Sequence, residues 1–353
     1  MTSRPAARPA VPEPAVPDLA DTLRRRPTVR LGADVDPGWH DALAGWARSN
    51  GLEVTDGDAT VAITTDPTQA VRAAWVHSPF AGVEHLAPAL PDGVVLTRTT
   101  GTMPGRIAEY VLTWVLAERW HVARYLAQST TATWDASNPP ASPDRREAAV
   151  VGTGAIGTAI ARTLATLGYR VVGLSRTGRP DDAFDAVLPL ADAFGATARA
   201  ATARAATAEH AAPGAPVPGA PGATAQVFDA ARADVLVLAL PHTPRTDGLV
   251  TPALLRAFER VHLVNIGRGS AVRTATLLDA LDTGRLRHAT LDVVEREPLE
   301  PSSPLWRRPD VTITPHVSGL TLPSDVVAGL DAALTAIRAG ARPASAVARE
   351  RGY

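Results

Sequence analysis

Gly152, Ser175, His242, Arg268, Asp292 and His316 recur through the second half of the chain, each at or just after the end of a short apolar run. The runs are 148–151, 169–174, 233–240, 261–265, 289–293 and 311–314, and each reads as a buried strand. Helical stretches alternate with them, the pattern of a doubly wound parallel sheet, whose ligands bind outside the carboxyl ends of the strands. The residue types suit chemistry on a small acid. Arginine is always charged and fork-shaped, so it matches a planar carboxylate and polarises a carbonyl. Histidine titrates near neutrality and can deliver a proton. A carboxylate on the other ring nitrogen would fix the tautomer of such a histidine. Taken singly, His316, Arg268 and Glu297 each also read as surface residues. Their common position after strands of one sheet carries the case.

Those strands must be positioned by something, and the organising stretch runs from Ala148 to Arg176. The strand 148–151 leads into Gly152-Thr153-Gly154-Ala155-Ile156-Gly157, then a helix closed by Gly168, then the strand 169–174. This is the order of the dinucleotide fingerprint: a tight turn, a close approach of backbone to a pyrophosphate, and close packing of helix on strand. The helix start offers unpaired N–H groups and a positive dipole end to phosphates. An acid at the end of the second strand would bind the ribose 2′-hydroxyl of NAD. Here Ser175 and Arg176 stand there, with Arg179 close by, which favours a 2′-phosphate, so NADP is expected over NAD.

The rest of the chain supplies a second α/β unit. Strands are expected at 28–31, 61–64, 75–77 and 94–97, with a helix over 41–49 and a glycine-containing loop over 78–85. Gly105 to Ala127 reads as one helix with a wide apolar face that includes Ile107, Tyr110, Val111, Trp114 and Val115, suited to packing between domains or against a second subunit. Helices are also expected over 251–258, 274–283 and 324–339. Residues 1–27 are rich in Pro, Ala and Arg and are expected to be a disordered tail. Residues 195–224, almost wholly Ala, Thr, Pro and Gly, are expected to be a flexible insert without chemistry.

Composition narrows the options. The 353 residues allow roughly two domains. Cysteine is absent and all 35 basic residues are arginine, which removes thiolate, Cys-metal and Schiff-base chemistry. No metal site is expected. A net charge of −1 gives no field to attract nucleic acid. No apolar run reaches the roughly 18 residues of a membrane span, and the start lacks the apolar core of a signal peptide, so a cytoplasmic protein is expected.

From about Arg30 onward the chain resembles the D-isomer-specific 2-hydroxyacid dehydrogenase family. The motifs that carry the resemblance are the Gly152 fingerprint, Leu240-Pro241-His242-Thr243-Pro244, Asn265-Ile266-Gly267-Arg268-Gly269, Leu291-Asp292-Val293-Val294-Glu295-Arg296-Glu297-Pro298-Leu299 and Thr314-Pro315-His316. The resemblance implies an α/β fold with a doubly wound (Rossmann) cofactor domain, 104–317, and a smaller flavodoxin-like α/β substrate domain, 28–103 and 318–353. The active site would lie in the cleft between them, and the domains would close on binding cofactor. It implies that Arg268 holds the substrate carboxylate and carbonyl, that His316 is the acid/base and that Glu297 is its partner. It places Asp292 near the nicotinamide carboxamide, Pro241 and Thr243 on the cofactor, and the Ala81-Gly82-Val83 backbone on the substrate carboxylate. The implied reaction is reduction of a small 2-oxo acid to a D-2-hydroxy acid with NADP or NAD, and the implied assembly is a homodimer.

Within the family, the short first domain, Ala81 to His85 and Ser175-Arg176 look most like glyoxylate/hydroxypyruvate reductases. Formate dehydrogenases lack the Glu–His pair. A competing reading is a non-enzymatic, dinucleotide-sensing corepressor, with the Pro-rich tail and the insert as docking elements. Trp75, His85, Met103 and Arg106 are candidates to line the substrate pocket.

Overall fold

The computed structural model describes residues 16–70, 72–137, 139, 146–191 and 228–348. The chain divides into two compact units, Met1–Met103 with Thr321–Tyr353, and Pro104–Leu320.

The first unit is built on five parallel strands: β1 (Thr28–Leu31), β2 (Glu53–Val54), β3 (Val61–Ile63), β4 (Trp75–Ser78) and β5 (Val95–Arg98). Their order is β2-β1-β3-β4-β5, the flavodoxin-like winding. β3 and β4 are buried along their whole length, as a parallel sheet covered on both faces requires. One core joins Val29, Ile63 and Trp75 to Leu43 and Trp46 of α2 (His40–Ser49) and to Val326, Leu330 and Leu334 of the closing helix α8 (Pro323–Arg338). The other joins Ala62, Val76 and Leu96 to Val83, Leu86 and Leu90. Beyond α8 the chain returns to β5, where Thr97 bridges Ala346 antiparallel and covers the sheet edge.

Two expectations fail in this unit. The tail reading does not hold from Val16, because Val16–Arg25 forms a helix, α1. Leu19 and Leu23, one turn apart, are buried in the same core as Leu43 and Leu330. Asp18 in its first turn and Arg24 and Arg25 in its last suit the helix dipole. Trp75 lines no pocket. It is fully buried, and its indole N–H donates to Thr97 Oγ1 at 2.7 Å. The remainder of the expected tail, residues 1–15, and the expected insert at 195–224 lie outside the described residues.

The second unit carries a seven-stranded parallel sheet. Its strands are β6 (Glu147–Val151), β7 (Arg170–Ser175), β8 (Ala186–Pro189), β9 (Val235–Leu238), β10 (Val261–Asn265), β11 (Leu286–Leu291) and β12 (Val311–Ile313). The order β12-β11-β10-β9-β6-β7-β8 reverses between β6 and β9, the switch point of a Rossmann sheet. Its helices include α5 (Ala155–Thr166), α6 (Pro252–Leu255) and α7 (Thr274–Asp282). The single helix expected over 105–127 is two: α3 (Met103–Arg119) and α4 (Val122–Thr130). His121 breaks it in the left-handed region, with φ +51°. No Gly or Pro marks the break, and the apolar periodicity runs on through it. No helix among the described residues is long and apolar enough to cross a membrane.

Candidate active site

The fingerprint sits at the switch point. Gly152 follows β6 with φ +107°, and a Cβ there would strike the carbonyl of Ala239 just past β9. Gly157 is buried in the first turn of α5, where a Cβ would run into the Gly152 carbonyl. Gly154 differs from both. It and Ala155 are exposed, a Cβ on Gly154 would meet nothing within 4 Å, and no side chain caps α5. Backbone N–H groups at a helix start therefore face open space, a cradle that fits the pyrophosphate of a dinucleotide. Thr153 packs its methyl against Gly173 of β7. At the end of β7 the Ser175 hydroxyl accepts the Gly178 N–H at 3.0 Å, and Arg176 and Arg179 are exposed. After β9, the Thr246 hydroxyl donates to the Pro241 carbonyl at 2.6 Å and receives the Thr243 N–H at 2.8 Å. This turn holds Pro241 and Thr243 at the same edge of the sheet. His242 Nδ1 lies 2.8 Å from Ser270 Oγ.

His316 and Glu297 meet. Nδ1 of His316 is 2.8 Å from Glu297 Oε2, with the two side chains 48% and 38% exposed. Facing a carboxylate, Nδ1 carries the proton, and Nε2 points away from the pair. The other Glu297 oxygen accepts the Val294 N–H at 3.2 Å. His316 takes φ +53°, a conformation L residues rarely adopt, so its surroundings must hold it there. Asp292 does much of this. It is buried at the end of β11, and its carbonyl accepts the His316 N–H at 2.9 Å. Its carboxylate accepts Val317 N–H at 2.8 Å and Ser318 N–H at 2.9 Å.

Arg268 follows β10, half-buried, and donates through one guanidinium N–H to the Gly267 carbonyl at 2.8 Å. Its own carbonyl is held by Asn265 Nδ2 at 3.2 Å. Gly269 lies so close to the Val294 carbonyl that a side chain there would displace it. The Arg268 loop is thus packed directly on the loop that carries Glu297. Asp292 N–H, bonded to the Asn265 carbonyl at 3.0 Å, ties the ends of β10 and β11 together.

Ala81, Gly82 and Val83 belong to the first unit, after β4. The Ala81 carbonyl accepts from Arg98 at 3.0 Å, and Val83 is buried in the core. Of the pocket candidates, His85 is exposed with Nε2 at 2.7 Å from the Thr65 carbonyl, and Met103 is buried. Arg106 donates from Nε to the Leu320 carbonyl at 3.1 Å. Sequence reasoning missed the part played by Tyr110, whose hydroxyl lies 2.6 Å from Thr314 Oγ1. The one available signal was a phenol on an otherwise apolar helix face.

Comparison with known proteins agrees with this geometry. The model of the D-isomer specific 2-hydroxyacid dehydrogenase NAD-binding domain matches residues 112–205 and 185–318, together more than half of the chain. A Streptomyces coelicolor protein of the mprR 3′ region is 38% identical over 284 residues, covering 80% of this chain and 90% of its own. Glyoxylate/hydroxypyruvate reductase A of Yersinia enterocolitica is 30% identical over 266 residues, covering 75% and 74%. Among solved structures, the NADPH-dependent glyoxylate/hydroxypyruvate reductase of Sinorhizobium meliloti, in complex with NADP and sulfate, superposes with a TM-score of 0.74 at 27% identity. It covers 93% of this chain and 100% of its own. A Xanthobacter autotrophicus D-isomer specific 2-hydroxyacid dehydrogenase, in complex with NADPH and MES, gives 0.74 at 26% identity over 93% and 100%. With a nucleotide cradle, an arginine and a histidine–carboxylate pair along one sheet edge, this chain belongs to the D-isomer specific 2-hydroxyacid dehydrogenase family and is an NAD(P)-dependent oxidoreductase.

Proposed function

We propose that this enzyme reduces a small 2-oxo acid of the glyoxylate or hydroxypyruvate type to the D-2-hydroxy acid, with NADPH preferred over NADH. The observation that carries the reading is the 2.8 Å His316–Glu297 pair at the strand-end edge. Bound there, NAD(P)H supplies the hydride for C2 of the substrate. His316 delivers the proton that the carbonyl oxygen gains, from Nε2. Glu297 keeps the Nδ1–H tautomer in place and balances the charge of the imidazolium. Arg268 holds the carboxylate and polarises the carbonyl, favouring the negative charge that develops on oxygen. The backbone amides of Ala81, Gly82 and Val83 are assigned to the substrate carboxylate. Gly152 to Gly157 are assigned to the pyrophosphate, Pro241 and Thr243 to the cofactor, Asp292 to its nicotinamide side, and Ser175 and Arg176 to the 2′-phosphate.

The test is oxidation of NADPH and of NADH by the purified protein with glyoxylate, hydroxypyruvate, pyruvate and phenylpyruvate. Turnover with at least one acid, faster with NADPH, is expected. Cofactor binding without turnover of any acid would favour a dinucleotide-sensing binding protein instead. Ser175→Asp combined with Arg176→Ala should reverse the cofactor preference by about 10- to 100-fold, the worth of one charge-assisted contact. An unchanged NADPH/NADH ratio would count against the 2′-phosphate assignment. The proposal includes a homodimer, supported by apolar side chains exposed on and beside α4: Trp120, Val122, Tyr125, Leu126 and Trp134, the last 97% exposed. Sedimentation at micromolar concentration should give twice the chain mass.

A further inference from the structure

Thr314 and Tyr110 hold none of the roles assigned so far, yet both are bonded into the support of His316. Thr314 has a single hydroxyl proton, and it donates that proton to Asp292 Oδ1 at 2.7 Å. With the Thr314 proton committed, the Tyr110 phenol is the donor in the 2.6 Å contact between the two hydroxyls. A chain of donors therefore runs from α3 through Thr314 to Asp292. The same carboxylate also accepts the Val317 and Ser318 N–H groups from the segment after β12, while the Asp292 carbonyl accepts the His316 N–H.

We infer that Tyr110 is a positioning residue for His316, acting through Thr314 and Asp292 to hold the 316–318 segment in its unusual backbone conformation. Every link lies within the second unit, and α3 supplies a fixed point for the chain, because Ile107 and Val111 beside Tyr110 are buried. Burial, reinforced by the charge of Asp292, holds the phenol above its ordinary range. Tyr110 thus stays protonated, and a donor, wherever the enzyme works. Loss of the phenol frees Thr314 Oγ1 to turn, and Asp292 loses one of the bonds that fix its rotamer. The catalytic consequence rests on the acid role proposed for His316. The mechanical link does not.

The experiment compares Tyr110→Phe, Thr314→Val, Thr314→Ser and the Tyr110→Phe/Thr314→Val double variant. Phenylalanine keeps the ring, which packs edge-on against Trp114 with centroids 6.1 Å apart. Two readouts are taken: steady-state kinetics with the 2-oxo acid, and hydrogen–deuterium exchange of the His316, Val317 and Ser318 amides in the free enzyme. Tyr110→Phe and Thr314→Val should each lower kcat about two- to tenfold, the equivalent of one hydrogen bond, with KM for the cofactor unchanged. Thr314→Ser should restore both readouts, and the double variant should be no worse than Thr314→Val alone. Exchange at 316–318 should quicken in every variant that lacks a hydroxyl. Wild-type exchange in Tyr110→Phe, or effects that add in the double variant, would overturn the link. If the wild type reduces no 2-oxo acid, the role of His316 fails, and the exchange data still decide whether Tyr110 holds the segment.

Discussion

Two histidine–glutamate pairs occupy opposite edges of the same seven-stranded sheet. At the carboxyl edge, His316 and Glu297 are in hydrogen-bond contact at 2.8 Å and about half exposed. Toward the other edge, His262, the second residue of β10, is fully buried, and its Nδ1 stands 3.8 Å from Glu118 Oε2, too far for a bond. His262 Nδ1 has no hydrogen-bond partner among the described residues. Nε2 meets Thr290 Oγ1 at 2.9 Å, and the ring packs edge-on against His288, 5.3 Å away. Burial, then the neighbouring His288 and Arg287, pushes the His262 pKa well below the ordinary histidine range. Glu118 is engaged instead by Arg287, through bonds of 3.0 and 2.9 Å. The same two residue types thus serve different ends. Contact and access to solvent suit the first pair to the proton-donor role proposed for it. Burial without contact leaves His262 of the second pair a neutral packing element, its glutamate taken by Arg287.

Substitutions should separate the two edges. His316→Gln should lower kcat by about 10²- to 10⁴-fold, the usual worth of a general acid, and leave the urea midpoint unchanged. His262→Ala should do the reverse. Folded protein should retain turnover, but stability should fall by about 1–3 kcal/mol, since a buried cavity forms and Thr290 loses its partner. A drop in stability for His316→Gln, or a loss of kcat in folded His262→Ala, would erase the distinction. Glu297→Gln should cost roughly tenfold in kcat, measured in steady state, because an amide no longer balances the imidazolium.

The buried histidine should also make folding depend on pH. His262 has a lower pKa folded than unfolded, so the unfolded chain binds the extra proton. Its contribution is intact above the unfolded value of about 6.5 and is lost as pH falls below it, at up to about 1.4 kcal/mol per pH unit. In the first unit, His77, fully buried between Thr97 and Thr99, is lowered by burial to about 3 and acts in the same direction. Urea titrations between pH 7.5 and 5 should show stability falling with acid, with a shallower slope in His262→Ala. An equal slope would mean that His262 already carries its proton in the fold.

The carboxyl edge was far more legible in the sequence than the opposite edge. Gly152, Arg268, Asp292, Glu297 and His316 each follow an apolar run, and strand ends are where a parallel sheet displays its side chains. His262 sits inside such a run, and a single buried polar residue does not disturb its apolar character. Arg287 lies before a run and Glu118 on α3, so no strand end marks them. Tyr110 was hidden for a related reason: at helical spacing a tyrosine counts as apolar, and only the fold shows its hydroxyl beside Thr314. The break at His121 carries no Gly or Pro. Leu19, Ala20 and Leu23 give α1 its buried face, too short a pattern to stand out among prolines and arginines. Trp75 stands in an expected strand, and which face of that strand it occupies, and so whether it meets a pocket, is decided only by the fold.

The central claim, that His316 supplies the proton at a site that binds NADPH independently of it, is tested most directly by one paired measurement. The kcat for reduction of glyoxylate or hydroxypyruvate and the Kd for NADPH are taken on the same preparations of wild type and His316→Gln. A fall in kcat of about 10²-fold or more with an unchanged Kd is the expected result. An unchanged kcat, or an equal loss of cofactor affinity, would contradict the account.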